Sequence, residues 1–279
     1  MKKIIPYYQI ISCFFFSLLG LQIKLLFQES TIENIVFYRS FFGTLVLFLI
    51  MVHKREKIKT ILRTADIKIH IFRSLCGMLA MYFGYKSLMY LSLAQASTIG
   101  FSKVFFTCII SSFVFTEKLR SHILFCVLLG FIGIVLIANP DKINSHLGVY
   151  MSLFSAICVS GGIISISYLS KKDRTMTILF YHSLFSSLIF FIIFNHKIIF
   201  GNNFLIFKYL ILTVTALIGQ FFNTESYKND LTQKVVILGY SRIIFSTILG
   251  AIVLDDQISW TNLLGISIVI LTTFLVQKK

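Results

Sequence analysis

Ten apolar stretches, each about 20 residues long and joined by short polar links, make up nearly all of this chain, and a helix of that length spans roughly 30 Å of hydrocarbon. The spacing predicts spans over residues 4–27, 34–52, 67–89, 93–115, 121–138, 147–169, 177–194, 204–222, 232–253 and 259–276. A closed barrel is disfavoured, because runs such as Phe204 to Phe222 do not alternate polar with apolar residues. With 57% hydrophobic and 13% charged residues and a mean hydropathy of +0.86, the chain lacks the polar surface to cover a water-soluble globule. The expected class is therefore an all-α integral membrane protein bathed in a lipid bilayer. No separate soluble domain fits, since the longest polar connection runs only from His53 to Asp66. The first apolar run has no small-residue cleavage site and reads as a retained span.

A net charge of +15 would suggest a nucleic-acid partner in a soluble chain. Here its placement argues topology, and no nucleic-acid partner is expected. With the N-terminus taken as cytoplasmic, seventeen of the 26 Lys and Arg fall in cytoplasmic segments, the largest group between Lys54 and Lys68. External loops hold only Lys142, Lys197 and Lys208. This bias predicts both termini on the cytoplasmic side. The five cysteines all fall in apolar runs and form no CxxC pair, and neither a metal site nor a cofactor is expected.

The ten spans divide at Asn139-Pro140-Asp141 into five and five. An odd number of spans per half makes the second enter the membrane upside down, so the expected organisation is two inverted five-helix repeats, 1–139 and 140–279. Internal spacing agrees: Lys103 lies fourteen residues before Glu117, and Arg242 fourteen before Asp256. Tyr85-Lys86 also echoes Tyr227-Lys228. Chance similarity among apolar helices is the competing explanation.

Six cations fall within spans, and two are deep. Helical rise puts Lys103 and Arg242 each about 15 Å from the start of its span, near the bilayer midplane. A charge at that depth costs several kcal/mol unless it faces a wet cavity, an acid or an anionic ligand. Every Asp and Glu is terminal to a span or in a loop. Two readings stand: the pair lines a path for a substrate with an anionic group, or the cations are structural, tied to helix-end carbonyls or to hydroxyls such as Ser102 and Ser241. Arg39 and Arg73 are shallower, about 8–9 Å from an interface, where they could snorkel to headgroups or face the same path. Tyr82 and Tyr240 sit near mid-depth, where a phenol either packs or stacks on a planar ligand group. Gln220 and Asn223 need partners, from another helix or from a ligand. Lys24 and Lys86 read as interface anchors, and Gly161-Gly162 permits close helix approach or a hinge. Gly130, Gly133 and Gly265 read as packing residues. Glu117 and Asp256 read as caps of the helices that follow them.

Phe37-Tyr38-Arg39-Ser40-Phe41-Phe42, His70-Ile71-Phe72-Arg73 followed by Gly77 and Tyr82, Ala94 with Ala96, Thr116-Glu117-Lys118, and Gly130-Phe131-Ile132-Gly133 together resemble the EamA-type ten-helix carriers of the drug/metabolite transporter superfamily. Within it, the span-2 arginine and the His-x-x-Arg of span 3 are most similar to bacterial S-adenosylmethionine importers. Ser102-Lys103-Val104 stands where that family usually has a proline, and Arg242 where a neutral or acidic residue is expected. The resemblance implies a multi-pass carrier in a bacterial inner membrane, working by alternating access. It also implies a pathway role for Arg39 and Arg73 as carboxylate anchors, and either a homodimer contact or a bracing role for the end helices. The favoured substrate is S-adenosylmethionine or a related amino-acid or nucleoside metabolite. Export of amino acids or toxic metabolites is the second reading. Only His182 is even partly placed as a proton relay, so a facilitator or exchanger is expected. An intramembrane lipid-modifying enzyme is the remote alternative; no HExxH, GxSxG or paired midplane carboxylates occur, and no enzyme activity is expected.

Overall fold

A computed structural model describes residues 5–53, 63–64, 66–115, 121–138, 145–198, 203–228, 231–255 and 259–277. Glu117, Asp256 and the Asn139-Pro140-Asp141 link lie outside the described residues, as do most of the cations between Lys54 and Arg63.

Among the described residues all regular structure is helical. The helices are α1 (Ile5–Leu26), α2 (Ile32–His53), α3 (Ile67–Ser87), α4 (Leu93–Gly100), α5 (Lys103–Val114), α6 (Ser121–Ala138), α7 (His146–Leu169), α8 (Thr175–Phe194), α9 (Asn203–Lys228), α10 (Thr232–Leu238), α11 (Ser241–Val253) and α12 (Trp260–Gln277). Among the described residues, seven segments are long and apolar enough to cross a membrane, and Ser121–Leu136 and Trp260–Val276 are shorter apolar helices. Helix α3, which carries Lys68, Arg73 and Lys86, is outside both sets.

The surface is inverted relative to a soluble protein. Large apolar side chains such as Phe113 and Trp260 are more than four-fifths exposed, while many serines and threonines are buried. Many of the buried hydroxyls are satisfied by carbonyls one turn back in their own helix, as Ser74 is by His70, Thr213 by Tyr209 and Thr272 by Ile268. That arrangement lets polar residues sit inside a bundle whose solvent is hydrocarbon.

Two expected spans, 93–115 and 232–253, are each interrupted at their centres. Helix α4 ends and α5 begins across Phe101–Ser102; α10 ends and α11 begins across Gly239–Tyr240. Both joints tighten to i→i+3 bonding: Ser102 N donates to Ile99 O at 3.0 Å, and Tyr240 N to Ile237 O at 2.9 Å. Hydroxyls reinforce each joint, Ser102 donating to Ile99 O and Ser241 to Leu238 O. The four residues at each joint correspond, Gly100-Phe101-Ser102-Lys103 and Gly239-Tyr240-Ser241-Arg242, a pattern of glycine, aromatic, serine and cation. No proline marks either joint, which is why apolar continuity alone reads through them.

Packing pairs the helices crosswise. Helix α1 lies along α9 and α11, α7 along α3 and α5, α2 along α8, and α6 along α12. Serines on α1 and α7 mirror one another: Ser12 donates to Gly219 O on α9, and Ser155 to Ala80 O on α3, both at 2.8 Å. Ser17 donates to Arg242 O at 2.9 Å, and Ser160 to Lys103 O at 3.0 Å. The leading helix of each half thus grips the joint of the other.

Polar contacts also join the two halves at both ends of the bundle. At one, Lys208 pairs with Glu29, and Lys197 approaches Glu33 at 3.8 Å. At the other, Lys172 pairs with Asp66 at 3.0 Å and His70 Nε2 meets Asp173 at 2.7 Å. The Lys172 ammonium and the Tyr168 hydroxyl hold the Asp66 carboxyl below the usual carboxylate range. Its contribution is therefore present at neutral pH and is lost as pH falls through that lowered value. Asp66→Asn is expected to leave thermal stability less dependent on pH below about 4, the ordinary carboxylate value, with no difference in pH dependence near neutrality, read by unfolding in detergent.

Candidate functional site

A cavity of about 260 Å³ occupies the middle of the bundle, walled by α1, α3, α4, α7, α9 and the two helix joints. Its position follows from the joints: each stops one helix and starts another at mid-depth, so the first residues of α5 and α11 turn inward with Lys103 and Arg242.

Lys103, Arg242, Arg39 and Arg73 all line this cavity. Lys103 Nζ stands 4.8 Å from the Phe101 ring centroid and Arg242 Cζ 5.8 Å from that of Phe16. Cys13 lies within electrostatic reach of both and donates to Gly239 O. Ser102 and Ser241 donate their hydroxyls to the backbone carbonyls of Ile99 and Leu238. Arg39 and Arg73 are only 6% and 3% exposed, so they do not snorkel outward. The Nε atoms of Arg39, Arg73 and Arg242 are buried without a hydrogen-bond partner. Arg39 Nη1 is directed at Met81 Sδ, and its guanidinium lies 5.9 Å from the Tyr85 ring centroid. Among the described residues, no Asp or Glu lines the cavity.

His182 also reaches the cavity from α8, in electrostatic contact with Arg73 and Arg39, and its Nδ1 is 3.4 Å from Ser186 Oγ. Its ring fits against α3 because residue 77 is glycine; a Cβ there would come within 2.3 Å of His182 Cε1. Gln220 and Asn223 line the cavity as well. The helix carrying them, α9, runs to Lys228 rather than stopping at 222, because its polar last turns find partners: Ser226 donates to Gln9 Oε1 at 2.7 Å, and Thr175 to Glu225 Oε1.

The structure puts Tyr82 and Tyr240 elsewhere. Tyr82 stacks on Phe194, with centroids 5.2 Å apart, and directs its hydroxyl at Glu33. Tyr240 is fully buried, donates to Val127 O at 3.2 Å, and covers Gly130 of α6. The tyrosines that do line the cavity are Tyr85 and Tyr227, the pair noticed in the sequence only as an internal echo. Helix α7 runs unbroken through Gly161 and Gly162, so the discontinuities fall at the two joints and not at this pair. Gly161 packs against Cys76, while Gly162 opens on the cavity with nothing within 4 Å of a Cβ position. Lys24 reaches Leu91 O, and Lys86 lies over the Tyr82 ring.

The match with known proteins is extensive. Residues 4–139 and 146–277 match the EamA-like transporter family. An uncharacterized transporter of Helicobacter pylori is 27% identical over 88% of this chain and 85% of its own. The pseudopaline exporter CntI of Pseudomonas aeruginosa is 24% identical over 85% of this chain and 83% of its own. A solved crystal structure superposes with a TM-score of 0.74 at 13% identity, covering 99% of this chain and 96% of the other, which shows a shared fold. The chain belongs to the EamA-like transporter family, within the drug/metabolite transporter superfamily. It is a multi-pass membrane transporter and not an enzyme.

Proposed function

We propose that this transporter carries a small metabolite with an anionic group across the bacterial inner membrane by alternating access, as a facilitator or exchanger. The observation that carries this reading is the set of four cations around one central cavity, with no carboxylate among the described lining residues. Buried charge of a single sign is costly without a counter-charge, and a passing anion supplies one.

The proposed architecture is ten spans in two inverted repeats, 1–139 and 140–279, with both termini cytoplasmic. The paired joints, the mirrored serines and the lysine-rich segments support it. In this arrangement the cavity lies between the repeats, and rocking them would break the polar contacts at one end while preserving those at the other.

S-adenosylmethionine, favoured by resemblance, has a carboxylate and a flat base that suit Arg and Tyr. Its sulfonium, however, would enter a cavity ringed by cations. A carboxylate-bearing metabolite without a fixed positive charge suits the site better. The likeness to an exporter of Pseudomonas aeruginosa favours outward movement as a second reading. Counterflow in proteoliposomes with labelled organic anions and with labelled S-adenosylmethionine tests both substrates. Exchange of neither above protein-free vesicles overturns the reading, and orientation-specific loading reports the direction.

A further inference from the structure

The cavity is polarised along the bundle. On α3, Arg73, Gly77, Ala80 and Gly84 follow one another at intervals of four, three and four residues, so they share one helix face, and that face lines the cavity. Ala96 and Gly100 of α4 and Lys103 of α5 line it at the same spacing. Helix α3 runs towards the short turn that joins it to α4, and α4 runs away from that turn. Both segments therefore put small residues beside the turn and a cation about 10 Å farther along. Helix α7 fixes the level: Ser155 donates to Ala80 O at 2.8 Å and Ser152 to Ala96 O at 3.1 Å, so the two alanines lie within about a turn of each other. Ser160, farther along α7, donates to Lys103 O.

The end beside the turn is smooth and apolar. Leu88 and Leu93 line it, and the hydroxyls of Ser87, Ser152 and Ser155 are donated to the carbonyls of Gly84, Ala96 and Ala80 rather than to the cavity. Gly84 permits the last of these bonds, since a Cβ there would stand 2.8 Å from Ser155 Oγ. Gly100 keeps space open, the nearest atom to its Cβ position being Ser152 Oγ at 3.9 Å. The far end is the reverse. Arg39 and Arg73 are more than nine-tenths buried, and their Nε atoms, with that of Arg242, have no hydrogen-bond partner. Small residues alone would merely let helices approach. Here they form one end of a cavity of about 260 Å³ whose other end presents unpartnered guanidinium nitrogens. A compact, hydrated anion would meet the cations but leave the smooth end to weakly held water. We infer that the cavity takes an amphiphilic organic anion, its charged group among the cations and its apolar body laid along Ala80, Gly84, Ala96 and Gly100 towards the α3–α4 turn. This rests on the anionic-carrier reading and narrows its substrate class.

The test uses purified full-length protein in detergent, with the straight-chain carboxylates from acetate to hexanoate and the neutral amides of the same lengths as probes. Binding is read by ligand-induced thermal stabilisation at constant ionic strength. Affinity for the carboxylates is expected to rise roughly fourfold with each added methylene until the smooth end is filled. Each amide is expected to bind at least about tenfold more weakly than its carboxylate, for want of the charge-assisted contacts. Gly100→Leu, which fills the smooth end, is expected to bring hexanoate down to the level of acetate, and Gly100→Ala to remove part of the gain, which keeps the test decisive if the leucine variant does not fold. Arg73→Gln is expected to weaken every carboxylate by a similar factor and so to leave the length dependence in place. Equal binding of acetate and hexanoate, or a length dependence that both Gly100 variants leave intact, overturns the inference and leaves a carrier of compact anions standing. Amides that bind as tightly as the carboxylates overturn the anionic reading and this inference with it. Binding of no carboxylate overturns the inference, and counterflow with labelled organic anions then decides separately whether the carrier reading survives.

Discussion

Replacing Lys103 and Arg242 by glutamine is expected to reduce transport of the true substrate by roughly 10- to 100-fold for each single substitution, since a hydrogen bond to a charged group contributes about 1.5–3 kcal/mol. The double variant should fall further, but by less than the product of the two, because both side chains would act on one ligand group. Thermal stability of the empty protein is expected to hold or rise. Glutamine keeps most of the side-chain volume while removing a desolvated charge that no acid among the described residues offsets. This combination separates two roles for the cations. Structural cations would lose stability first and transport as a consequence. Ligand-binding cations would lose transport while the fold gains or stays level. Counterflow with an identified substrate, paired with unfolding curves of each variant, reads both quantities, and unchanged transport would remove the basis for an anion path.

Gly133→Val is expected to be among the most destabilising single changes in the chain, by about 1–3 kcal/mol. A Cβ at this position would stand 2.9 Å from the backbone oxygen of Gly265 and equally close to Ile268. Backbone cannot swing aside as a side-chain tip can, so α6 and α12 would have to separate along their shared seam. Gly162→Ala makes the matching control. Nothing lies within 4 Å of its Cβ position, so the fold should tolerate it, while the added methyl intrudes on the cavity and is expected to impair transport. Unfolding in detergent and uptake in vesicles, measured on both variants, should show opposite profiles.

The contrast between those glycines indicates what could be read from the chain alone. Gly130, Gly133 and Gly265 announce close helix approach whatever the rotation of the helices; Gly133 meets Gly265 and Ile268 at the α6–α12 seam, while Gly130 lies first against Tyr240 and then Thr272. Charge in an apolar run is equally visible, so Lys103, Arg242, Arg39 and Arg73 were all legible as candidates. Rotation was not. Helix α3 is apolar on most sides, and each residue turns the face by about 100°, so nothing local shows that Tyr85 looks into the cavity while Tyr82 looks towards Glu33 and Phe194. The same ambiguity hid Tyr227 and promoted Tyr240. The helix joints left a trace that apolar continuity masked: a glycine, an aromatic, a serine and a cation in the same order in both halves. Read as a repeated tetrapeptide, that trace locates both interruptions without a proline at either.

The reciprocal grip of Ser17 on Arg242 O and of Ser160 on Lys103 O makes each half a structural cofactor of the other. Each of these carbonyls opens a helix and already accepts the amide one turn on, so the serine is a second donor, and separating the halves forfeits about 1 kcal/mol of hydrogen bonding at each joint. Cut at the link between them, the two pieces would each keep their helices but lose the clasp that sets the register of the other's broken span.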